Sequence, residues 1–200
     1  MYKLKKSLGQ HFLKDEKIID KIIFSLNEHP YKQLLEVGPG GGALTKKLIL
    51  IPDVDLKAVE LDNEKVEFLE KKYPSLVGNI IHKSFLDINP PFEGEFTVIG
   101  NFTYNISTQI LFKILDWKDQ VPVIIGMFQR EVALRAAANP GKKTFGVLAA
   151  LLQPFYNIEY LFDVPPESFT PAPKVDSGVI RLTRKSEVLN VRSERSYKIL

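Results

Sequence analysis

The chain has 200 residues, of which 27 are basic and 24 acidic for a net charge of +3, with 44% apolar residues and no cysteine. That length suits one domain able to bury a core of its own. The cysteine count excludes a disulfide framework and a thiolate metal site, and no apolar run is long enough to cross a bilayer.

The amino end is basic: Lys3, Lys5, Lys6 and Lys14 precede the first acid, Asp15. It lacks the apolar segment of a signal peptide, so a cytoplasmic location is expected. DEKIIDKIIFSL then sets Ile18, Ile19, Ile22, Ile23 and Leu26 on one helical stripe. QLLEV reads as a short buried strand running into PGGG, and ALTKKLIL as the next helix. DLKAVEL is a second strand closing at Glu60, and NEKVEFLEKKY a helix with Asn63 as its candidate N-cap. NIIH and FTVIG are the third and fourth strands, with ISTQILFKIL the helix that follows. VPVIIGMF and REVALRAAA make a fifth strand and helix.

After Ala138 the character changes. NPGKK is a turn-rich basic connection, FGVLAALL an apolar helical run, and FYNIEYLFDV and SGVIRLTR two further strands, expected to be antiparallel. PPESFTPAPKV, between them, is too rich in proline for a helix or a central strand and reads as a loop or linker. Alternating strands and helices predict a three-layer α/β sheet. Lys174, Arg181, Arg184, Lys185, Arg192, Arg195 and Lys198 make the far end basic as well. Two basic ends on a near-neutral middle describe either a phosphate-binding face or two solvated termini.

Chemistry concentrates in two places. In LLEVGPGGGAL, Gly38, Gly40 and Ala43 satisfy G-x-G-x-x-A between a strand and a helix. Glu60 follows 22 residues after Gly38, at the end of the next strand, where a carboxylate can accept from a ribose diol. The pair predicts an adenosine-containing cofactor. Glu36, two residues before Gly38, disfavours a pyrophosphate and favours the ammonium and sulfonium of S-adenosylmethionine. The second place is IGNFTYNIS, where a strand ends on Asn101. The Asn101 amide oxygen and the Phe102 carbonyl can accept both protons of an adenine amino group, while the Tyr104 ring stacks on the purine.

Together these stretches resemble the ribosomal-RNA adenine N6,N6-dimethyltransferases that act on the small subunit. The likeness runs from residue 5 to residue 184 and is carried by SLGQHFL, LLEVGPGGGALT, VELD, NFTYNIS, GMFQREVA and SFTPAPKVDSGVIRL. It implies a Rossmann-like class I S-adenosylmethionine-dependent methyltransferase, α/β, with a seven-stranded, mostly parallel sheet and an antiparallel strand near the C-terminal end. It implies that His11 and Leu13 line the cofactor pocket, that Gly38 and Gly40 pass under the methionine, and that Glu60 binds the ribose. It implies that Asn101 and Tyr104 hold the target adenine and that Phe169 covers the base from its other face. The expected partner is ribosomal RNA, within a small-subunit particle, for a monomer with no membrane and no metal. Residues 1–185 would form the catalytic domain and 186–200 the start of a truncated C-terminal helical segment.

Two positions depart from the family pattern. Ser84 stands where an acid usually accepts from the cofactor's adenine amine, with Asp87 out of register, and Thr103 stands where the clamp usually has proline. These departures motivate one alternative, a non-catalytic RNA-binding assembly factor. Others are a large-subunit rRNA methyltransferase of the macrolide-resistance type and a nucleotide-dependent oxidoreductase, which would have no use for Asn101 and Tyr104.

Overall fold

A computed structural model describes residues 11–102 and 106–186. Tyr104 and Thr103 of the expected clamp, the lysines ahead of residue 11 and the expected helical segment from residue 187 onward lie outside the described residues.

The described chain opens with a two-residue strand, β1 (Phe12–Leu13), and helix α1 (Glu16–Leu26). Asp15 caps α1, its carboxylate accepting from the backbone N–H groups of Lys17 at 3.0 Å and Ile18 at 3.4 Å. The stripe Ile18, Ile19, Ile22 and Leu26 is buried as the spacing predicts. Then follow β2 (Gln33–Val37), α2 (Thr45–Leu48), β3 (Asp55–Glu60), α3 (Asn63–Lys72), β4 (Ile80–His82) and β5 (Thr97–Asn101). The cap of α3 is Asp62 and not Asn63: the Asp62 carboxylate accepts from Glu64 N at 3.0 Å, and Asn63 is already helical. The chain continues with α4 (Ser107–Asp116), β6 (Val123–Gln129), α5 (Arg130–Ala136), α6 (Val147–Leu152), β7 (Tyr156–Val164), β8 (Phe169–Thr170) and β9 (Ser177–Arg184).

The main sheet has seven strands in the order β4-β3-β2-β5-β6-β9-β7. Five run parallel, and β9 is antiparallel to both β6 and β7. The central strands carry apolar residues toward both faces, as strands covered by helices on both sides must. Leu35, Val98 and Ile124 feed one core, while Leu34, Ile99 and Ile125 feed the other. Chain order reverses between β2 and β5, since β3 and β4 lie on one side of β2 and β5 on the other. At such a switch point the loops leaving adjacent strands part, and a crevice opens at the carboxyl edge. Val37, Glu60, Asn101 and Gln129 all end strands on that edge.

The proline-rich loop contains a structural element that its composition hides. Within it, β8 pairs antiparallel with β1, matching Phe12 to Thr170 and Leu13 to Phe169. Three hydrogen bonds extend this clasp. Lys14 N donates to Ser168 O at 2.9 Å, Ser168 Oγ donates to the Asp15 carboxylate at 3.2 Å, and His11 Nδ1 bonds Pro171 O at 2.7 Å. The clasp lays the amino-terminal segment across the crevice.

Candidate active site

The glycine turn is built by backbone geometry that side chains resist. Gly38 and Gly40 have φ of +67° and +57°, in the left-handed region. Around Gly38 a Cβ would meet nothing within 4 Å, so its conformation and the open space beside it, not packing, call for glycine there. The turn is anchored by Gly38 N donating to Val59 O at 2.9 Å and Gly42 N donating to Pro39 O at 2.8 Å.

Behind the turn stand two carboxylates. Glu36 is 1% exposed, and its oxygen accepts from the Thr45 hydroxyl at 2.7 Å. Burial pushes its carboxyl up to about 7, against the opposing pull of the Thr45 hydrogen bonds and with a smaller push from Glu60. Glu60 is 6% exposed. One of its oxygens accepts from Gly40 N at 3.1 Å, and the other from Leu61 N and Asp62 N, both at 3.0 Å. Lys65 Nζ, also buried, lies 3.9 Å from the same carboxylate. Glu60 therefore ties the glycine turn to the start of α3 in this structure.

At the head of β5, Asn101 faces the turn across the switch point. Its Nδ2 makes a long 3.5 Å contact with the His11 carbonyl, which leaves Oδ1 as the acceptor on the cleft side. Phe102 N donates to Met127 O at 3.0 Å, fixing the chain where it leaves the sheet. The Phe102 ring is 1% exposed and packs on Phe128, with centroids 4.8 Å apart. Gly126 makes room for it: a Cβ there would come within 2.4 Å of the ring.

His11, Leu13, Gly38, Gly40, Asn101 and Phe169 line a single cleft. Of the described residues expected to bind cofactor or base, two are not in its lining. Glu60 lies behind Gly40, and Ser84 caps the one-turn 3-10 helix Phe85–Asp87 by accepting from Leu86 N at 3.3 Å. Phe169 reaches the cleft only because β8 pairs with β1, and it is 2% exposed. The His11 ring holds the Pro171 carbonyl, so it serves as a wall and latch.

Sequence reasoning missed Phe12 and Lys65, which also line the cleft. Phe12 sits over the turn, 3.6 Å from a Cβ position at Gly40 and 3.1 Å from one at Gly41. The Lys65 ammonium lies 5.9 Å from the Phe12 ring centroid. A signal for Lys65 existed: it falls in the first turn of the helix that follows the Glu60 loop, where side chains point back toward the helix start.

This lining fits a cationic, adenosine-bearing ligand. The turn offers open space over Gly38, the Glu36 carboxyl stands beside it to receive an ammonium, and apolar walls come from Leu13 and Phe169. Among the described residues no cluster of histidine, aspartate and glutamate could hold a metal ion.

The sequence matches the family model described as ribosomal RNA adenine dimethylase over residues 1–200. It is 51% identical over 187 residues to ribosomal RNA small subunit methyltransferase A of Cytophaga hutchinsonii, covering 92% of this chain and 72% of the relative. A dimethyladenosine transferase from Plasmodium falciparum superposes with a TM-score of 0.76 at 26% identity, over 95% of this chain and 66% of that one. The 23S rRNA methyltransferase ErmE does so with a TM-score of 0.75 at 28% identity, over 94% of this chain and 75% of that one.

Proposed function

The chain belongs to the ribosomal RNA adenine dimethylase family, and from that premise we propose that it transfers methyl groups from S-adenosylmethionine to the N6 of adenines in small-subunit ribosomal RNA. The observation that carries this reading is the shared cleft: the glycine turn, Asn101 and Phe169 surround one cavity at the switch point of the sheet. S-adenosylmethionine, when bound, supplies a methyl carbon activated by its sulfonium.

The protein's part is alignment and desolvation. Gly38 and Gly40 let the backbone approach the methionine end, and Glu36 receives its ammonium. Glu60 holds the turn from behind; exchanging its bond from Gly40 N for ribose hydroxyls brings it to its cofactor role. Ser84 contributes at the adenine end of the cofactor through its hydroxyl. His11 and Leu13 form the wall laid over the cofactor by the clasp.

For the target base, the Asn101 Oδ1 and the Phe102 carbonyl accept the two N6 protons and aim the nitrogen lone pair at the methyl carbon. As the new N–C bond forms, the methyl–sulfur bond would break with its electron pair on sulfur, leaving S-adenosylhomocysteine; the amine's proton passes to solvent, so no side chain has to be a strong base. Phe169 bounds the base on one face, and Tyr104 serves on the other. A base inside an RNA helix must be unstacked to enter. The family's second methylation repeats the step at the same nitrogen. The protein acts as a monomer in the cytoplasm, on RNA within a small-subunit particle, and residues 1–185 form its catalytic domain. No helix among the described residues is long and apolar enough to cross a membrane.

The test is mass-spectrometric mapping of methylated adenines after incubating small-subunit particles with this chain and S-adenosylmethionine. Dimethyladenine confined to small-subunit RNA is the expected result. Methylation of large-subunit RNA alone, or binding without transfer, would turn the reading to one of its rivals.

A further inference from the structure

A second cleft lies on the outer side of the glycine turn, between that turn and α3. It shares Phe12, Leu13, Gly40, Gly41, Ala43 and Lys65 with the first, and adds Gly42, Lys46, Phe68 and Lys72. Its composition is unlike that of the cofactor cleft: three lysines, two aromatic rings, and no acid among the described residues that line it.

The arrangement on α3 is regular. Lys65, Phe68 and Lys72 recur at i, i+3 and i+7, which places them along one face of the helix. The neighbouring Val66 and Leu69 turn into the core and fix that orientation. Phe68 keeps 37% of its surface in solvent. The Lys72 ammonium lies 5.2 Å from the Phe68 ring centroid and 5.2 Å from that of Tyr73. Lys46 pairs with Glu16 of α1 at the opposite rim. Cations set beside a partly exposed ring match a ligand that alternates phosphates with stackable bases.

We infer that this groove is a binding track for single-stranded RNA, carrying nucleotides that flank the target adenosine across the glycine turn and onto α3. The inference rests on the proposed function for the identity of the polymer. The groove itself is continuous with the cofactor cleft through Phe12 and Lys65, so a strand entering the crevice has a charged path out over α3. Double-stranded RNA suits it less, because its base faces are stacked away from Phe68.

The test uses this chain with Phe68→Ala and Lys72→Gln combined. Both side chains are exposed and neither touches the cofactor cleft, so the variant should melt at the temperature of the parent chain. The probe is a fluorescein-labelled single-stranded RNA of about 12 nucleotides, roughly one binding-site length. We expect the Kd to rise roughly 5- to 20-fold, from one lost stack and one lost phosphate contact. The salt dependence should become shallower by about 0.7 in log–log slope. The Kd for S-adenosylmethionine should stay within twofold. A Kd for RNA that stays within twofold, with an unchanged salt slope, overturns the track. So does an equal loss for duplex RNA, or a parallel loss of cofactor affinity. A parent chain that binds RNA but transfers no methyl sinks the proposed function and leaves this comparison readable.

Discussion

The two walls of the cleft differ in how far along the chain their parts lie. The glycine-turn wall is assembled from β2, its turn and β3, where a parallel pair matches Leu34 to Leu56 and Val37 to Val59. The Phe169 wall joins residues 153 and 160 positions apart, through the Ser168–Asp15 and His11–Pro171 hydrogen bonds. The first wall is held by sheet hydrogen bonds on both sides of β2 and by two buried cores. The second is a two-residue ladder with a few side-chain links, closed across a long loop whose ordering costs entropy. Local rigidity on one side and a slender long-range clasp on the other mean that the walls can be damaged separately. The turn wall should fail through chemistry and packing, the clasp through stability of the cleft's covering.

Asn101 stands where the walls meet, and its loss should be the most severe. Asn101→Ala removes the acceptor for the adenine amine and the contact to the His11 carbonyl. We expect transfer to fall by about 100-fold or more with circular dichroism unchanged, by analogy with the loss of a positioned polar group at a reacting centre. Near-normal turnover would detach Asn101 from the chemistry.

Gly126→Val probes the packing that seats Phe102 beneath the target position. The added carbons must collide with a ring that has no vacant side, so a destabilisation of about 1–3 kcal/mol or more is expected in urea titration. Unchanged stability would mean that the Phe102 ring moves freely, and that the rigid wall is not rigid there.

Glu36 gives the turn wall a pH dependence. Its folded value of about 7 lies above the ordinary carboxylate value of 4.5, so the folded protein holds the proton more tightly. Its contribution to stability is present below about 4.5 and is lost as pH rises through about 7. Binding a cation beside it favours the ionised form, so cofactor affinity should rise, with proton release, as pH passes from 6 to 8. Glu36→Gln should flatten both dependences, read by thermal melting and by calorimetry in buffers of different ionisation enthalpy. An identical pH profile in the variant would place the cofactor's ammonium elsewhere.

Ser168→Ala tests the clasp most gently. It removes one hydroxyl from Asp15, worth about 0.5–1.5 kcal/mol. Asp15 still caps α1, so the helix should survive. The expected signature is faster proteolysis of the amino-terminal segment and weaker cofactor binding with kcat unchanged at saturation. A fall in kcat equal to that in kcat/KM would mean that the clasp also positions the reacting groups.

Much of the fold was legible because its signals are local. QLLEV, DLKAVEL and VPVIIGMF announce strands by short apolar-rich runs. The Glu16–Leu26 stripe announces an amphipathic helix by its spacing. The glycine spacing and Glu60 announce the crevice by motif. Asp62 was overlooked as a cap because two neighbouring residues both qualify by type, and only the backbone turn separates Asp62, outside the helix, from Asn63, inside it. Phe12 and Lys65 were overlooked because their importance comes from what they lie against. No pattern in QHFL or NEKVEFL says that both side chains converge on Gly40 and Gly41.

The amino-acid sequence alone determined the alternation of strands and helices, the glycine turn, the acids behind it and the carboxamide at the end of β5. Each depends on neighbours a few residues away, where spacing maps directly onto geometry. Tertiary structure alone decided that Glu60 turns onto the backbone of Gly40 and that Ser84 caps a short helix. It also decided that β8 exists at all, because a two-residue strand has no stability of its own and forms only where β1 supplies its partner. Phe169 faces the cleft for that reason: its position is set by hydrogen bonds to the opposite end of the chain, which no local pattern can encode.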